Sequence, residues 1–217
     1  SGPTSNRLYK QVDSLRFEEV TQQAGLKSSN AWSAGAAMAD IDGDGDVDVV
    51  SDLGDELVWF DNTDGQGVFS LPKHISARYG LNFQLADLNG DGNADILSGS
   101  RWLKGRGDGT FESRASLPVD SVFSHTADLD GDGDLDVLTH DAENSMLQWL
   151  ENIDGLGNFE PRESVQLPSS ETILLADLNS DALIDIIVPT NNGAIWLPNS
   201  QADSPLAQQS LLTLTED

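Results

Sequence analysis

Cysteine is absent from all 217 residues. That excludes a disulfide scaffold, a zinc site built on thiolates and a cysteine nucleophile. Basic residues are scarce: 11 Lys and Arg stand against 37 Asp and Glu, a net charge of −26. Nucleic acid and anionic membranes are poor partners for such a surface. No apolar run approaches the length of a membrane span. No Gly-x-Ser-x-Gly elbow, His-Glu-x-x-His pair or phosphate loop is present. His74, His125 and His140 show no motif spacing. No signal peptide is visible, and the opening Ser1-Gly2-Pro3 reads as a processed chain or an expressed segment.

What the chain does have is aspartate in a fixed pattern. A nine-residue loop runs from Asp40 to Asp48 and returns from Asp87 to Asp95, from Asp128 to Asp136 and from Asp177 to Asp185. Oxygen-bearing side chains stand at positions 1, 3, 5 and 9 of every copy: Asp40, Asp42, Asp44 and Asp48; Asp87, Asn89, Asp91 and Asp95; Asp128, Asp130, Asp132 and Asp136; Asp177, Asn179, Asp181 and Asp185. Asp, Asn and Gly favour turns in any protein, but four copies in register ask for more than a turn. Clustered carboxylates repel one another unless a cation sits among them, and Ca²⁺ takes six to eight hard oxygens. An EF-hand needs a Glu at position 12 and flanking helices. Position 12 here is Ser51, Ser98, Thr139 or Val188, and flanks such as Val49-Val50 and Ile186-Ile187-Val188 are strand formers. Calcium loops joining β-strands are therefore expected. Four such cations would bring the charge from −26 to −18.

The first aspartates, at 40, 87, 128 and 177, are spaced by 47, 41 and 49 residues. A repeat of that length indicates a propeller or solenoid. Each repeat reads as a strand, the loop, a second strand, a turn, a third strand carrying Trp59, Trp102, Trp149 or Trp196, a Gly-rich turn, and a fourth strand opened by Phe69, Phe111 or Phe159. Four short antiparallel strands make one propeller blade. Because the tryptophans recur at one position, they are expected to pack between blades. Loop positions 2 and 8 are apolar in all copies and read as anchors that press the loop onto its blade. Residues 8–21 have the shape of a third and fourth strand. The expectation is an all-β propeller of about four complete blades plus an N-terminal half-blade, part of a larger propeller. Its segments are the half-blade and lead-in at 1–30 and blades at about 31–76, 77–118, 119–168 and 169–217.

These residues resemble the FG-GAP/VCBS repeat family. The resemblance rests on the Asp-x-Asp/Asn-Gly-Asp-Gly-x-x-Asp loops, on the stretches 59–69 and 149–159, and on the lead-in 17–26. It covers roughly residues 8–216 and implies integrin-α-like calcium-binding blades. It also implies ligands at loop positions 1, 3, 5 and 9 and the backbone carbonyl at position 7, which is Asp46, Asn93, Asp134 or Leu183. In the fourth copy Ser180 and Ala182 replace the glycines, so the first three sites are expected to be filled and the fourth weakest or empty.

The resemblance is specific for fold and unspecific for function. It implies an extracellular, secreted or cell-surface module, or a periplasmic one. Such a module recognises a protein or carbohydrate, or joins further blades of a parent chain or another subunit, with calcium in a structural role. The alternative is a segment of a polysaccharide-active enzyme of the rhamnogalacturonan-lyase kind, but no catalytic motif or carboxylate pair stands out. Trp32 and Tyr79 do not repeat and are the candidates for a ligand-facing aromatic. Arg106-Gly107-Asp108 falls on an ordinary Gly-rich turn and is read as one.

Overall fold

The computed structural model describes residues 7–25, 35–53, 56–77, 82–114, 116–119, 123–141, 145–167, 172–190, 193–199, 206 and 210–213. Trp32 and Tyr79 lie outside them. Eighteen strands are present among the described residues. A two-stranded hairpin comes first, β1 (Tyr9–Asp13) and β2 (Arg16–Glu19). Four four-stranded antiparallel sheets follow. Blade one is β3 (Ala36–Ala39), β4 (Asp48–Leu53), β5 (Glu56–Phe60) and β6 (Lys73–Ala77). Blade two is β7 (Gln84–Ala86), β8 (Asp95–Ser98), β9 (Arg101–Gly105) and β10 (Phe111–Ser113). Blade three is β11 (Phe123–Ala127), β12 (Asp136–Asp141), β13 (Met146–Asn152) and β14 (Phe159–Gln166). Blade four is β15 (Leu174–Ala176), β16 (Asp185–Thr190), β17 (Gly193–Leu197) and β18 (Ser210–Thr213). Strand order within each sheet follows the chain, which makes each a meander and the fold a four-bladed β-propeller preceded by a half-blade. Among the described residues no helix is long and apolar enough to cross a membrane.

The second strands of blades one to three are covered on both faces, so they are buried continuously rather than in alternation. Residues 48–52 in β4, all of β8 and residues 136–140 in β12 are buried. The first and fourth strands are mostly half-buried or exposed. The chain divides into two compact units. The first comprises residues 1–85, 93–98 and 102–114. In it Val50, Leu57 and Trp59 of blade one pack with Ile96 and Leu103 of blade two. In the second, residues 86–92, 99–101 and 115–217, Leu138 and Trp149 of blade three pack with Ile186, Ile195 and Leu197 of blade four. Trp59 and Trp149 therefore fill the space between consecutive blades, as their recurrence implied. Each fully buried side chain of this size contributes about 1.5–3 kcal/mol.

Two local expectations are corrected. Phe69 does not open a strand. It makes an isolated bridge to Asn62 and gives its N–H to the Ala24 carbonyl, and pairing resumes only at Lys73. Loop position 8 is not an anchor in blade one, where Val47 is 53 % exposed, whereas Ala94 and Ile184 do pack against buried clusters. This position also supplies its carbonyl, which accepts an N–H from a third-strand Asn in blades one, three and four (Val47, Leu135 and Ile184).

The Arg-Gly-Asp tripeptide is a turn of this hairpin series. Asp108 accepts the Thr110 N–H at 3.0 Å, and Gly109 donates its own N–H to the Ile41 carbonyl at 3.1 Å. Gly109 has φ +78, and a methyl added there would lie 2.6 Å from Cζ2 of Trp59. Gly45 has φ +91, but its added methyl would meet nothing within 4 Å. Gly45→Ala is expected to cost about 1 kcal/mol from the left-handed backbone alone. Gly109→Ala is expected to cost about 3 kcal/mol, because Trp59 must also move. Urea unfolding in excess calcium measures both, and equal losses would contradict this packing.

Candidate metal centres

Position 1 of each loop organises the backbone. Asp40 accepts the N–H groups of Gly43 at 2.8 Å and Gly45 at 3.0 Å, one on each carboxylate oxygen. Asp128 does the same with Gly131 at 2.7 Å and Gly133 at 3.1 Å. Asp177 accepts Ser180 at 2.7 Å and Ala182 at 3.0 Å. Asp87 accepts Asp91 at 3.2 Å and Gly92 at 2.8 Å. Position 5 repeats the device on a smaller scale, with Asp44, Asp132 and Asp181 each accepting the N–H two residues on. These bonds curl the loop so that its carboxylates converge.

Position 9 is different. Asp48, Asp95, Asp136 and Asp185 are buried to 1 % exposure or less. Asp48 accepts the Ile41 N–H at 3.0 Å and the Asn62 N–H at 2.8 Å. Asp136 accepts Leu129 at 3.2 Å and Asn152 at 2.9 Å. Asp185 accepts Leu178 at 3.0 Å and Asn199 at 2.8 Å. Asp95 accepts the Gly105 N–H at 2.8 Å. In blades one, three and four this carboxylate ties the start of the loop to the end of the third strand.

Position 7 side chains turn to the hairpin. A methyl added to Gly65 would lie 2.4 Å from an Asp46 oxygen, one added to Gly107 2.2 Å from the Asn93 oxygen, and one added to Gly155 2.4 Å from an Asp134 oxygen. Leu183 has no oxygen on its side chain, and its Cδ2 lies 3.3 Å from a methyl built on Gly131.

The chemistry of the donor set fits a hard cation. Oxygens of Asp40, Asp42 and Asp48 lie within 4.8 Å of one another, as do those of Asp128, Asp130 and Asp132. Asp42 Oδ1 is sealed from solvent and accepts no hydrogen bond, which suits an atom whose partner is an ion. Burial pushes Asp42, Asp48 and Asp130 above the usual carboxylate range, and neighbouring carboxylates push the same way. Asp136 is pushed up to about 6, burial outweighing its two backbone donors. Ionised carboxylates held this way are costly until a positive charge faces them. In the fourth loop Asn179 donates Nδ2 to Asp181 at 2.9 Å, so an amide covers one of the few carboxylates there.

Two features were missed at the level of sequence. Asp61, two residues after Trp59, brings an oxygen within 4.8 Å of Asp42 and Asp44, and Lys73 holds it at 2.7 Å. Glu151 stands at the same place in blade three, paired with Arg162 and raising Asp130. The second is the asparagine three residues after the tryptophan. Asn152 Nδ2 reaches the Leu88 carbonyl at 3.0 Å, and Asn199 Nδ2 reaches the Leu129 carbonyl at 2.6 Å, each linking its blade to the loop of the preceding one. The repeated Trp-x-x-Asn at 59–62, 149–152 and 196–199 was the available signal.

Residues 128–188 match the FG-GAP-like repeat family, so this stretch carries an FG-GAP-like repeat. No curated protein matches the chain significantly. Among solved structures, an Agrocybe aegerita lectin that recognises non-reducing terminal N-acetylglucosamine aligns with TM-score 0.59 and 22 % identity, over 81 % of this chain and 51 % of that one. The Photorhabdus luminescens Tc holotoxin pore aligns with TM-score 0.52 and 18 % identity, over 97 % of this chain and 11 % of that one. The chain thus spans about half the lectin and about a tenth of the toxin chain. At these identities the likeness is one of fold.

The geometry separates two kinds of aspartate. Asp132→Asn removes an exposed carboxylate and is expected to leave cation-free stability within about 0.5 kcal/mol while weakening cation binding. Asp136→Asn puts an amide where two buried N–H donors need acceptors, and is expected to cost about 2–4 kcal/mol even without the cation. Chemical denaturation after exhaustive chelation distinguishes them. Ala182 and Ser180 hold φ of 73 and 65 where the other loops have glycine. Ala182→Gly is therefore expected to raise stability by about 1 kcal/mol, and a loss on the same measurement would show that the strain is relieved elsewhere.

Proposed function

We propose that this chain is an extracellular recognition module whose blades are set by Ca²⁺, with carbohydrate as its ligand class. The observation that carries the proposal is the convergence of loop carboxylates into oxygen clusters on FG-GAP-like propeller blades. Sites one and three would be held by Asp40, Asp42, Asp44 and Asp48, and by Asp128, Asp130, Asp132 and Asp136, with the carbonyls of Asp46 and Asp134. The second loop offers Asp87, Asn89, Asp91, the Asn93 carbonyl and Asp95. The fourth offers Asp177, Asn179, Asp181, the Leu183 carbonyl and Asp185, and is the weakest. The ion would supply charge neutralisation; the chain's own backbone already shapes the loops. Millimolar calcium outside cells suits such sites. The lectin among the structural neighbours supports carbohydrate recognition, and the acidic surface argues for a neutral or partly basic glycan over an acidic one.

A cation that binds only the folded state adds about 2.7 kcal/mol per site at one hundred times its Kd. Chelation is expected to lower the melting temperature, and anomalous scattering is expected to place ions in the first three loops before the fourth. An unchanged melting curve after exhaustive chelation would remove calcium from the proposal. On a glycan array, saturable binding that disappears with chelator is the expected result. Turnover of a polysaccharide without saturable binding would instead point to an enzyme segment.

A further inference from the structure

Blades one and three carry an acid two residues after the third-strand tryptophan: Asp61 and Glu151. Blade two has Lys104 at that place and blade four Pro198. A basic residue of the fourth strand meets each acid. Lys73, paired with Trp59 across β5 and β6, holds Asp61 at 2.7 Å. Its ammonium also lies 4.1 Å from the centre of the Trp59 ring. Arg162 in β14 holds Glu151 in the same way.

Both ion pairs reach their loop at its third residue. An oxygen of Asp61 lies within 4.8 Å of oxygens of Asp42 and Asp44. Asp42 belongs as well to the group it forms with Asp40 and Asp48, so it joins the hairpin acid to the heart of the loop. Burial, then Asp44 and Asp61, push the Asp42 carboxyl up, and Lys73 opposes them. In blade three burial raises Asp130, and Glu151 adds to it. Arg162 is raised by Glu151 first, with a further contribution from Asp130. The third loop residue thus feels both members of the pair in each blade.

An acid added to a cluster of carboxylates is repelled by them. A basic residue from the fourth strand makes it tolerable without a divalent ion. A divalent ion in the loop attracts the acid and repels that basic residue. The two positive charges therefore compete for one carboxylate.

We propose that Asp61 and Glu151 set the affinity of the first and third cation sites, each shared between the divalent ion and a fourth-strand basic residue. The inference rests on the calcium reading of these loops. Its consequence is that the ion draws Asp61 from Lys73 and Glu151 from Arg162, so the state of the loop is felt in the fourth strand. Removing the acid weakens the site, whereas removing the basic residue strengthens it. A pair that only braces the hairpin lacks this opposition of sign, because losing either partner breaks the same brace.

The test is a calcium titration of the full chain, with free calcium set by a chelating buffer. It is followed through the amide signals of Gly45 and Gly133 in two-dimensional NMR. These glycines hold position 6 of loops one and three, and each donates its N–H to the first aspartate of its loop. Asp61→Asn is expected to raise the Gly45 midpoint about tenfold. The Gly133 midpoint should stay in place, which also reports that the variant is folded. Lys73→Met keeps an apolar stem on Trp59 and is expected to lower the Gly45 midpoint about threefold or more. Glu151→Gln should raise the Gly133 midpoint alone. Midpoints that none of the three variants moves overturn the proposal. So does Lys73→Met weakening the site as Asp61→Asn does, which would make the pair a brace only. Glycine signals of the original chain that ignore calcium overturn the calcium reading itself, and this proposal with it.

Discussion

The buried aspartate that closes each acidic loop is the constraint on which the blades depend. In blades one, three and four its two oxygens accept N–H groups from opposite ends of the blade, one at the loop's second residue and one at the close of the third strand. Neither N–H can join the sheet ladder, since the first lies in a loop and the second where the hairpin begins. Without the carboxylate both would be buried donors with no acceptor, each costing about 1–3 kcal/mol. With it, the blade gains a polar post at a point where apolar packing has nothing to hold. Removing a carboxylate from water at such a depth is itself expensive. Burial accordingly pushes the Asp136 carboxyl up to about 6. A cation at the mouth of the loop would offset that expense without disturbing the two backbone bonds, so bracing and ion binding are compatible uses of one side chain.

The asparagines extend this post from one blade to the next. Asn152 and Asn199 give their backbone N–H to the aspartate of their own blade and their side-chain amide to a loop carbonyl of the preceding one. A shift of the loop is therefore felt in two blades. Blade two, which has Gly105 after its third-strand tryptophan instead of asparagine, makes the link with a hairpin backbone N–H from Gly109. The same carbonyl position is served by different chemistry: a backbone N–H in one interface and a side-chain amide in the others.

Much of the fold was legible because the sequence repeats in register. The four loops, the strands on either side and the third-strand tryptophans could be aligned against each other, and each copy checked the rest. Phe69 was misread for the opposite reason. Its copies Phe111 and Phe159 do open strands, but its own N–H is taken by Ala24, a tertiary contact no local pattern carries. Val47 was misread because an apolar residue at a repeated position suggests packing, whereas the repeated feature was its carbonyl. Asp61 and Glu151 were hidden among 37 acids. Only the folded hairpin shows that these two lie beside a loop, each neutralised from the fourth strand by Lys73 or Arg162. The interblade asparagines look like ordinary turn residues until their amides are traced.

The fourth loop shows what sets the loop shape. Glycine at positions 4 and 6 is the obvious cause in the first three, since those residues all have positive φ. Yet Ser180 and Ala182 take the same left-handed conformation without it. The bonds from their N–H groups to Asp177 match those of Asp40 and Asp128 in length. The carboxylate at position 1, with the buried one at position 9, therefore imposes the backbone, and glycine only removes the strain of obeying it. Each of the two strained residues costs about 1–2 kcal/mol here, and both are exposed, so it is the Asp177 carboxylate and not burial that holds their N–H groups. The fourth loop thus has the geometry of the others without their glycines, so any weakness as an ion site would come from Asn179 and from strain rather than from a different fold.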